Sequence, residues 1–343
     1  MRPFKNWAFS FALIAGLLAP AAYAGSKEDP HDLLTKTFQQ SDIWNQGPVK
    51  LVAQVRMPTP SGQDLNLQYT IWWAGPDKWR AEWSAQGMQQ VTVLHNGKLS
   101  FITNQPSPLV RAIEFEAALA ALDGGTPAGP YPYAPLEYQK AKIDVIKKKI
   151  NGMDAKCLAF GQPLNTFCID AATGHLLSAD GDLGTFEYSD YVTVGNNSYP
   201  QTVKVSYAKT LLEDAKLTVT RGDKFADSLF TAPDKSTTMD FPACADIDKN
   251  FAAPHLTNTV PPKMSDAAKK AKKYGLVWVL ATVGKDGSVE KATVIGGDPD
   301  LNPAAIDAVE QYKFTPYTRC GQTVEFGSVQ VVRFTPPPTM GAQ

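Results

Sequence analysis

Apolar and polar positions alternate with a period of two through most of the first two thirds of the chain, from residue 49 onward. Val49, Leu51, Ala53, Val55 and Met57 share one side of a first run. Leu65, Leu67, Tyr69, Ile71 and Trp73 share one side of a second, and Trp79, Ala81 and Trp83 one side of a third. That period belongs to half-buried strands. Gly75-Pro76-Asp77 separates the second run from the third, and Asn96-Gly97 sits between 91–95 and 99–102 as a hairpin signal. Further strands are predicted at 143–150, 156–160, 167–170, 176–179, 185–194, 202–208 and 215–220. Two segments change to helical spacing. One is 29–44, with Asp29-Pro30 as its start and Leu33, Leu34, Phe38, Ile43 and Trp44 as its apolar positions; the other is 111–122, which stops at Asp123-Gly124-Gly125. Runs of strands with few helices predict an α+β fold built on one large antiparallel sheet.

After a short element at 227–233 the pattern fades. Residues 236–262 hold Pro242, Pro254, Pro261 and Pro262 with little periodicity and read as a linker. Periodicity then returns in a different order. A helical candidate at 264–274 precedes strands at 276–283 and 289–295, which flank the turn Lys285-Asp286-Gly287. Asn302-Pro303 opens a helix with Ala304, Ala305, Ala308 and Val309 on its apolar face, and a last strand runs over 324–334. The expected organisation is a first domain at 25–235, the linker 236–262, a small αββαβ domain at 263–336 and a tail at 337–343. A length of 343 residues suits two domains.

The first 24 residues stand apart. Arg2 and Lys5 precede an apolar run of about 12 residues, too short for the ~20 that span a bilayer, and Ala22-Tyr23-Ala24 supplies a small-x-small cleavage pattern. A cleaved export signal is expected, with a periplasmic product. In an oxidising compartment the four cysteines read as two disulfides. Cys157 and Cys168 flank the turn-rich Gly161-Gln162-Pro163-Leu164-Asn165 and are paired on that ground, leaving Cys244 with Cys320.

Composition narrows the function classes. Thirty-three basic against thirty-four acidic residues give a formal charge of −1, which encodes no general attraction to nucleic acid. His31, His95, His175 and His255 are scattered, and no cysteine spacing spells a metal site. Nucleophile-elbow, phosphate-loop, zinc-protease and dinucleotide-binding patterns are absent. Asp180, Asp182 and Glu187 surround a Gly181–Gly184 turn and are read as a solvated loop. Lys263, Lys269, Lys270, Lys272 and Lys273 are read as a solvated helix face. The expectation is a protein without enzymatic activity, cofactor or metal.

The last segment resembles the TonB C-terminal domain family. The likeness is carried by Gly275-Leu276-Val277, Asp286-Gly287-Ser288-Val289, Leu301 with Ala304-Ala305 and Ala308-Val309, Lys313-Phe314-Thr315-Pro316, Gly321-Gln322-Thr323-Val324 and Val332-Arg333-Phe334. Two positions depart: Lys263-Met264 lies where the family often has Tyr-Pro, and Tyr312 where it prefers Trp. The resemblance implies a sheet edge to which an extended segment of an envelope partner, such as an outer-membrane receptor, adds as a further strand. Backbone groups then provide affinity and alternate side chains selectivity. The candidate edge residues are Glu325, Gly327, Val329, Gln330, Val331 and Arg333. The family's energy transducers carry an uncleaved membrane anchor and a long Pro-rich spacer; neither is expected here, which argues against coupling to a proton gradient.

The first domain resembles the LolA/LolB-like outer-membrane lipoprotein carrier superfamily. The likeness lies in the N-terminal helix, the long antiparallel strands, the passage Trp73-Ala74-Gly75-Pro76-Asp77-Lys78-Trp79-Arg80-Ala81-Glu82 and the later Asn96-Gly97-Lys98-Leu99. This implies a half-barrel wrapped around helices and, as an alternative function, carriage or sensing of a lipid or lipoprotein. Trp72, Trp73, Trp79 and Trp83 are the candidate residues for an apolar ligand, with core packing as the competing role.

Overall fold

The computed structural model describes residues 29–58, 64–85, 88–103, 109–123, 142–160, 166–181, 184–207, 209–222, 224–241 and 256–335. Several expectations fall outside them: the export signal, the turn 161–165, Asp182, Cys244, the middle of the linker and the tail.

The fold is mostly β-sheet with few helices. Helix α1 (Pro30–Ser41) starts at Asp29, whose carboxylate accepts from the His31 N–H, an N-cap followed by Pro at the first helical position. The chain then runs through β1 (Val49–Met57), β2 (Leu65–Gly75), β3 (Lys78–Ala85), β4 (Met88–His95) and β5 (Lys98–Thr103). Helix α2 (Leu109–Asp123) follows, and then β6 (Ile143–Ile150), β7 (Met153–Phe160), β8 (Thr166–Asp170), β9 (Leu176–Gly181), β10 (Gly184–Val194), β11 (Asn197–Tyr207) and β12 (Thr210–Arg221). After a 3-10 turn at Asp227–Phe230 comes β13 (Thr237–Asp240). Together the thirteen strands form one antiparallel sheet, ordered β13-β5-β4-β3-β2-β1-β12-β11-β10-β9-β8-β7-β6.

The topology explains the order. From β1 the chain steps outward by hairpins to β5, crosses through α2 to the far edge at β6, and steps back until β12 pairs with β1, Val49 opposite Arg221. The face read from the period-two pattern is the buried one. Val49, Leu51, Ala53, Val55, Tyr69, Ile71, Trp73 and Trp83 are buried, and they share one core with Phe115, Ala118, Leu119 and Leu122 of α2. Burying a face of this size is what favours the sheet over the open chain. Tyr69, Trp83 and Phe115 form an aromatic cluster, with Tyr69 and Trp83 centroids 4.5 Å apart. Polar contacts tie the helices to the sheet. Trp44 Nε1 donates to Asp123 Oδ2 at 2.8 Å, Trp73 Nε1 to the Trp44 carbonyl at 2.8 Å, and Arg221 Nη1 to the Gln46 carbonyl at 2.9 Å. Cys157 and Cys168 stand directly opposite on β7 and β8 and are disulfide-bonded. Cys320 is also disulfide-bonded.

The sheet takes in Thr237–Asp240, which the sequence pattern placed in the linker. This segment pairs with β5, and Lys98 and Asp240 form an ion pair across the edge. Four residues with Thr237 and Thr238 at their start carry too little alternation to announce a strand; the partner supplies the order.

The C-terminal unit begins with β14 (Leu256–Asn258) and a short helix α3 (Asp266–Lys270). Next come β15 (Gly275–Val283), β16 (Val289–Gly296), α4 (Asn302–Val309) and β17 (Lys313–Phe314), then β18 (Tyr317–Arg319), β19 (Gln322–Val324) and β20 (Phe326–Phe334). The core αββαβ order is present. The helical candidate 264–274 shrinks to one turn and a half. The strand expected over 324–334 is divided, because Gln322–Val324 pairs with Tyr317–Arg319 while Phe326–Phe334 pairs with β15. Gly287 turns the β15–β16 hairpin at φ +81°; a Cβ there would lie 2.0 Å from the Phe314 carbonyl oxygen. The Phe314 N–H in turn donates to the Gly287 carbonyl at 2.8 Å, so only glycine admits this close approach.

Candidate functional site: an open edge of the C-terminal sheet

Three strands form the C-terminal sheet, in the order β16-β15-β20. Its inner face is closed. Val277, Val279, Ala281 and Val283 of β15 are fully buried, and Phe326, Val332 and Phe334 of β20 join them in the core with Ala305, Ala308 and Val309 of α4. The outer face is also apolar. Leu276, Trp278 and Leu280 stand opposite Arg333, Val331 and Val329, and the apolar members of that set are half-buried. A strand apolar on both faces, as the run Leu276-Val277-Trp278-Val279-Leu280 is, ordinarily signals cover on both sides.

The two edges differ. Helix α2 of the first unit approaches β16, and the β15–β16 turn brings Lys285 near enough to Asp240 to help hold its carboxylate below the usual range, after the larger effect of Lys98. On the other side, β20 pairs with β15 over its whole length, from Phe334 opposite Gly275 to Phe326 opposite Val283. Among the described residues no strand lies beyond it. Its outward N–H and C=O groups therefore form a nine-residue template for another strand.

The candidate edge residues divide by face. Gly327, Val329, Val331 and Arg333 lie on the outer face. Gln330 points to the inner face, where its Nε2 donates to Ser328 Oγ at 2.8 Å. Glu325 is half-buried in the bend between β19 and β20. Leu276, Trp278 and Leu280, which are not among the candidate edge residues, share the outer face; their signal was the continuous apolar run.

In the first unit, Trp73, Trp79 and Trp83 are buried on the face that carries the helices. Trp72 lies on the other face, half-buried, with the Lys50 ammonium 5.5 Å from its ring. The Trp83 Nε1–H donates to Glu116 Oε1 at 2.9 Å, and the Tyr69 hydroxyl hydrogen-bonds the same carboxyl. Burial pushes the Glu116 carboxyl up to about 7, against the lowering effect of those two donors. Glu116 is a site the sequence reading passed over; its only signal was an acidic residue inside the apolar stretch Phe115–Leu122. A cleft of about 280 Å³ lies between α1 and the turn joining β8 to β9, lined in part by Leu33, Lys36, Gln40, Lys156 and Asp170. Its walls are as polar as apolar, unlike those of a pocket for an acyl chain. Of the lysines in the 263–273 cluster, Lys269 pairs with Asp266 at 3.2 Å and Lys273 with Asp298 at 2.8 Å. Among the described residues no cluster of three or more His, Cys, Asp or Glu is placed to hold a metal.

The C-terminal unit thus presents a three-stranded sheet with a helix on one face and, among the described residues, a last strand paired on one side only. Residues 260–336 match the family model for the Gram-negative bacterial TonB protein C-terminal, about a fifth of the chain. No curated protein matches the chain. Among solved structures, a LolA superfamily protein from Nitrosomonas europaea is similar with a TM-score of 0.36 at 12% identity, covering 59% of this chain and 96% of that one. A DUF1329 family protein from Desulfovibrio piger ATCC 29098 is similar with a TM-score of 0.38 at 10% identity, covering 59% of this chain and 95% of that one.

Proposed function

We propose that this protein is a non-enzymatic binding protein of the Gram-negative envelope, exported to the periplasm. In this reading its C-terminal unit takes up an extended segment of an envelope partner along β20. The observation that carries the reading is the edge itself: nine residues of strand paired on one side, next to an apolar outer face, in the part of the chain that matches the TonB C-terminal model. A captured strand would pair with the free backbone of β20 and set alternate side chains beside Val329 and Val331. Arg333 would meet an acidic or polar position at one end. An outer-membrane receptor segment is the partner class that the family match suggests.

The test is photo-crosslinking in cells from Val331 on β20 and, as the opposite-edge control, from Lys291 on β16. The expected result is an adduct with an extended segment of one or more envelope proteins from Val331 and none from Lys291. Equal labelling from both positions, or none from Val331, would remove the proposal. The alternative reading, a carrier of lipid or lipoprotein, would have to use the face where Trp73, Trp79 and Trp83 pack against the helices. A ligand of that kind would meet α2 there, whose Phe115, Leu119 and Leu122 are buried against the same face.

A further inference from the structure

Strand β6 differs from the strands next to it in the sheet. In its neighbours β7, β8 and β9 at least half of the residues are buried, whereas residues 144–149 of β6 are all exposed on both faces. Val145 is 47% exposed and Ile146 51%, and Met153 just beyond the Asn151-Gly152 turn is 39% exposed. These are three of the most exposed large apolar side chains described, and they occur within nine residues. The same hairpin is basic. Lys149 pairs with Asp154 at 2.9 Å and Lys142 with Asp144 at 3.4 Å, while Lys147 and Lys148 have no acidic partner among the described residues. Lys147 also stands directly opposite Lys156 on β7, a like-charge pairing that disfavours the isolated hairpin.

Lysine on an edge strand is explained by protection against unwanted pairing. That accounts for 147–149 but not for exposed Val145, Ile146 and Met153, which increase the risk of such pairing. Register puts Ile146, Lys148 and Met153 on one face, beside half-buried Ile150 and the small cluster of Ala155, Cys157, Cys168 and Leu177, and Val145 with Lys147 on the other, so each face of the hairpin carries an exposed apolar side chain next to a lysine. A fluid surface suits that arrangement, because it adapts to apolar side chains at the rim of either face where a rigid protein surface would match only one. Apolar side chains then reach the acyl boundary while lysine ammonium groups lie at the level of the phosphates. In strand order β6 is also the edge farthest from β13, after which the chain leads to the C-terminal unit.

We propose that the β6–β7 hairpin is a membrane-surface contact that docks the first unit on anionic lipid, with Lys147 and Lys148 facing headgroup phosphates and Val145, Ile146 and Met153 seated in the interface. The test is flotation of the full chain with vesicles of phosphatidylethanolamine and phosphatidylglycerol, against vesicles of phosphatidylcholine alone. Binding is expected to the anionic vesicles only and to fall with added salt. K147E/K148E should weaken it about tenfold or more, since each lysine near such a surface is worth roughly a factor of five, and K147R/K148R should restore it. V145S/I146S should weaken it at every salt concentration, because the apolar contribution is not screened. All of these side chains are exposed, so unchanged melting temperatures will verify that the variants are folded. No binding to anionic vesicles at low salt would overturn the proposal. Binding indifferent to the lysines, or indifferent to V145S/I146S, would overturn it equally; the second result would reduce the hairpin to an edge guarded by charge. Loss of an acidic protein partner by K147E/K148E without any vesicle binding would replace the membrane with that partner.

Discussion

Glu116 shows how one side chain sets the response of the fold to pH. Its carboxyl is raised from 4.5 to about 7 by burial, so the folded state holds a proton that the unfolded chain releases at lower pH. A group with a raised folded pKa contributes most stability below its unfolded value and loses that contribution as pH rises through its folded value. Stability should therefore decline between pH 4.5 and 7 by up to about 3 kcal/mol from this group alone. Glu116→Gln keeps an acceptor for Trp83 Nε1 and Tyr69 but cannot ionise. It should leave the melting temperature at pH 4 almost unchanged and raise it by several degrees at pH 8. Thermal unfolding at the two pH values measures this, and an equal shift at both would show that the carboxyl does not titrate in that range. The pattern of the chain identified the neighbours of Glu116 more readily than Glu116 itself. Tyr69 and Trp83 lie on alternating strands whose period was plain, but whether an acidic residue at the margin of an apolar helix faces water or an aromatic cluster depends on where the helix lands.

Elements were legible where local pattern and turn chemistry agree. The hairpin at Asn96-Gly97 and the helix opened by Asn302-Pro303 occur where the sequence places them. Boundaries failed where partner choice decides: Thr237–Asp240 becomes a strand only because β5 offers an edge, and the strand expected over 324–334 hides a change of partner at Glu325. Gly287 belongs to the first kind, since its sequence context Asp286-Gly287 already marks a turn and the structure adds the reason that no other residue fits. Gly287→Ala would place a methyl group 2.0 Å from the Phe314 carbonyl oxygen at a positive φ. It should destabilise the C-terminal unit by about 2–3 kcal/mol, seen as a lower unfolding midpoint in urea. An unchanged midpoint would mean that the hairpin and the Phe314 segment can separate without cost.

For the whole molecule the question is which sheet edges are protected. β13 is short and ion-paired through Asp240 to Lys98, β6 is studded with lysine, and β16 is approached by α2 and carries Glu290 and Lys291. β20 has none of these protections: nine residues, with Arg333 its only charge. Its sequence is also self-complementary. Two copies paired antiparallel about Gln330 would set Phe326 opposite Phe334, Gly327 opposite Arg333 and Val329 opposite Val331, so no like charges meet and apolar residues face each other. In the proposed role, an edge kept open for a partner is thus exposed to pairing with itself whenever the partner is missing. The purified chain should accordingly dimerise reversibly as its concentration rises from micromolar to millimolar. Val331→Lys, by opposing charge to an apolar neighbour and adding repulsion between copies, should keep it monomeric without lowering its melting temperature. Sedimentation velocity across that range measures both effects. A monomer at every concentration would show that the free edge is guarded by something other than its own residues, while a dimer that survives Val331→Lys would place the contact elsewhere on the molecule.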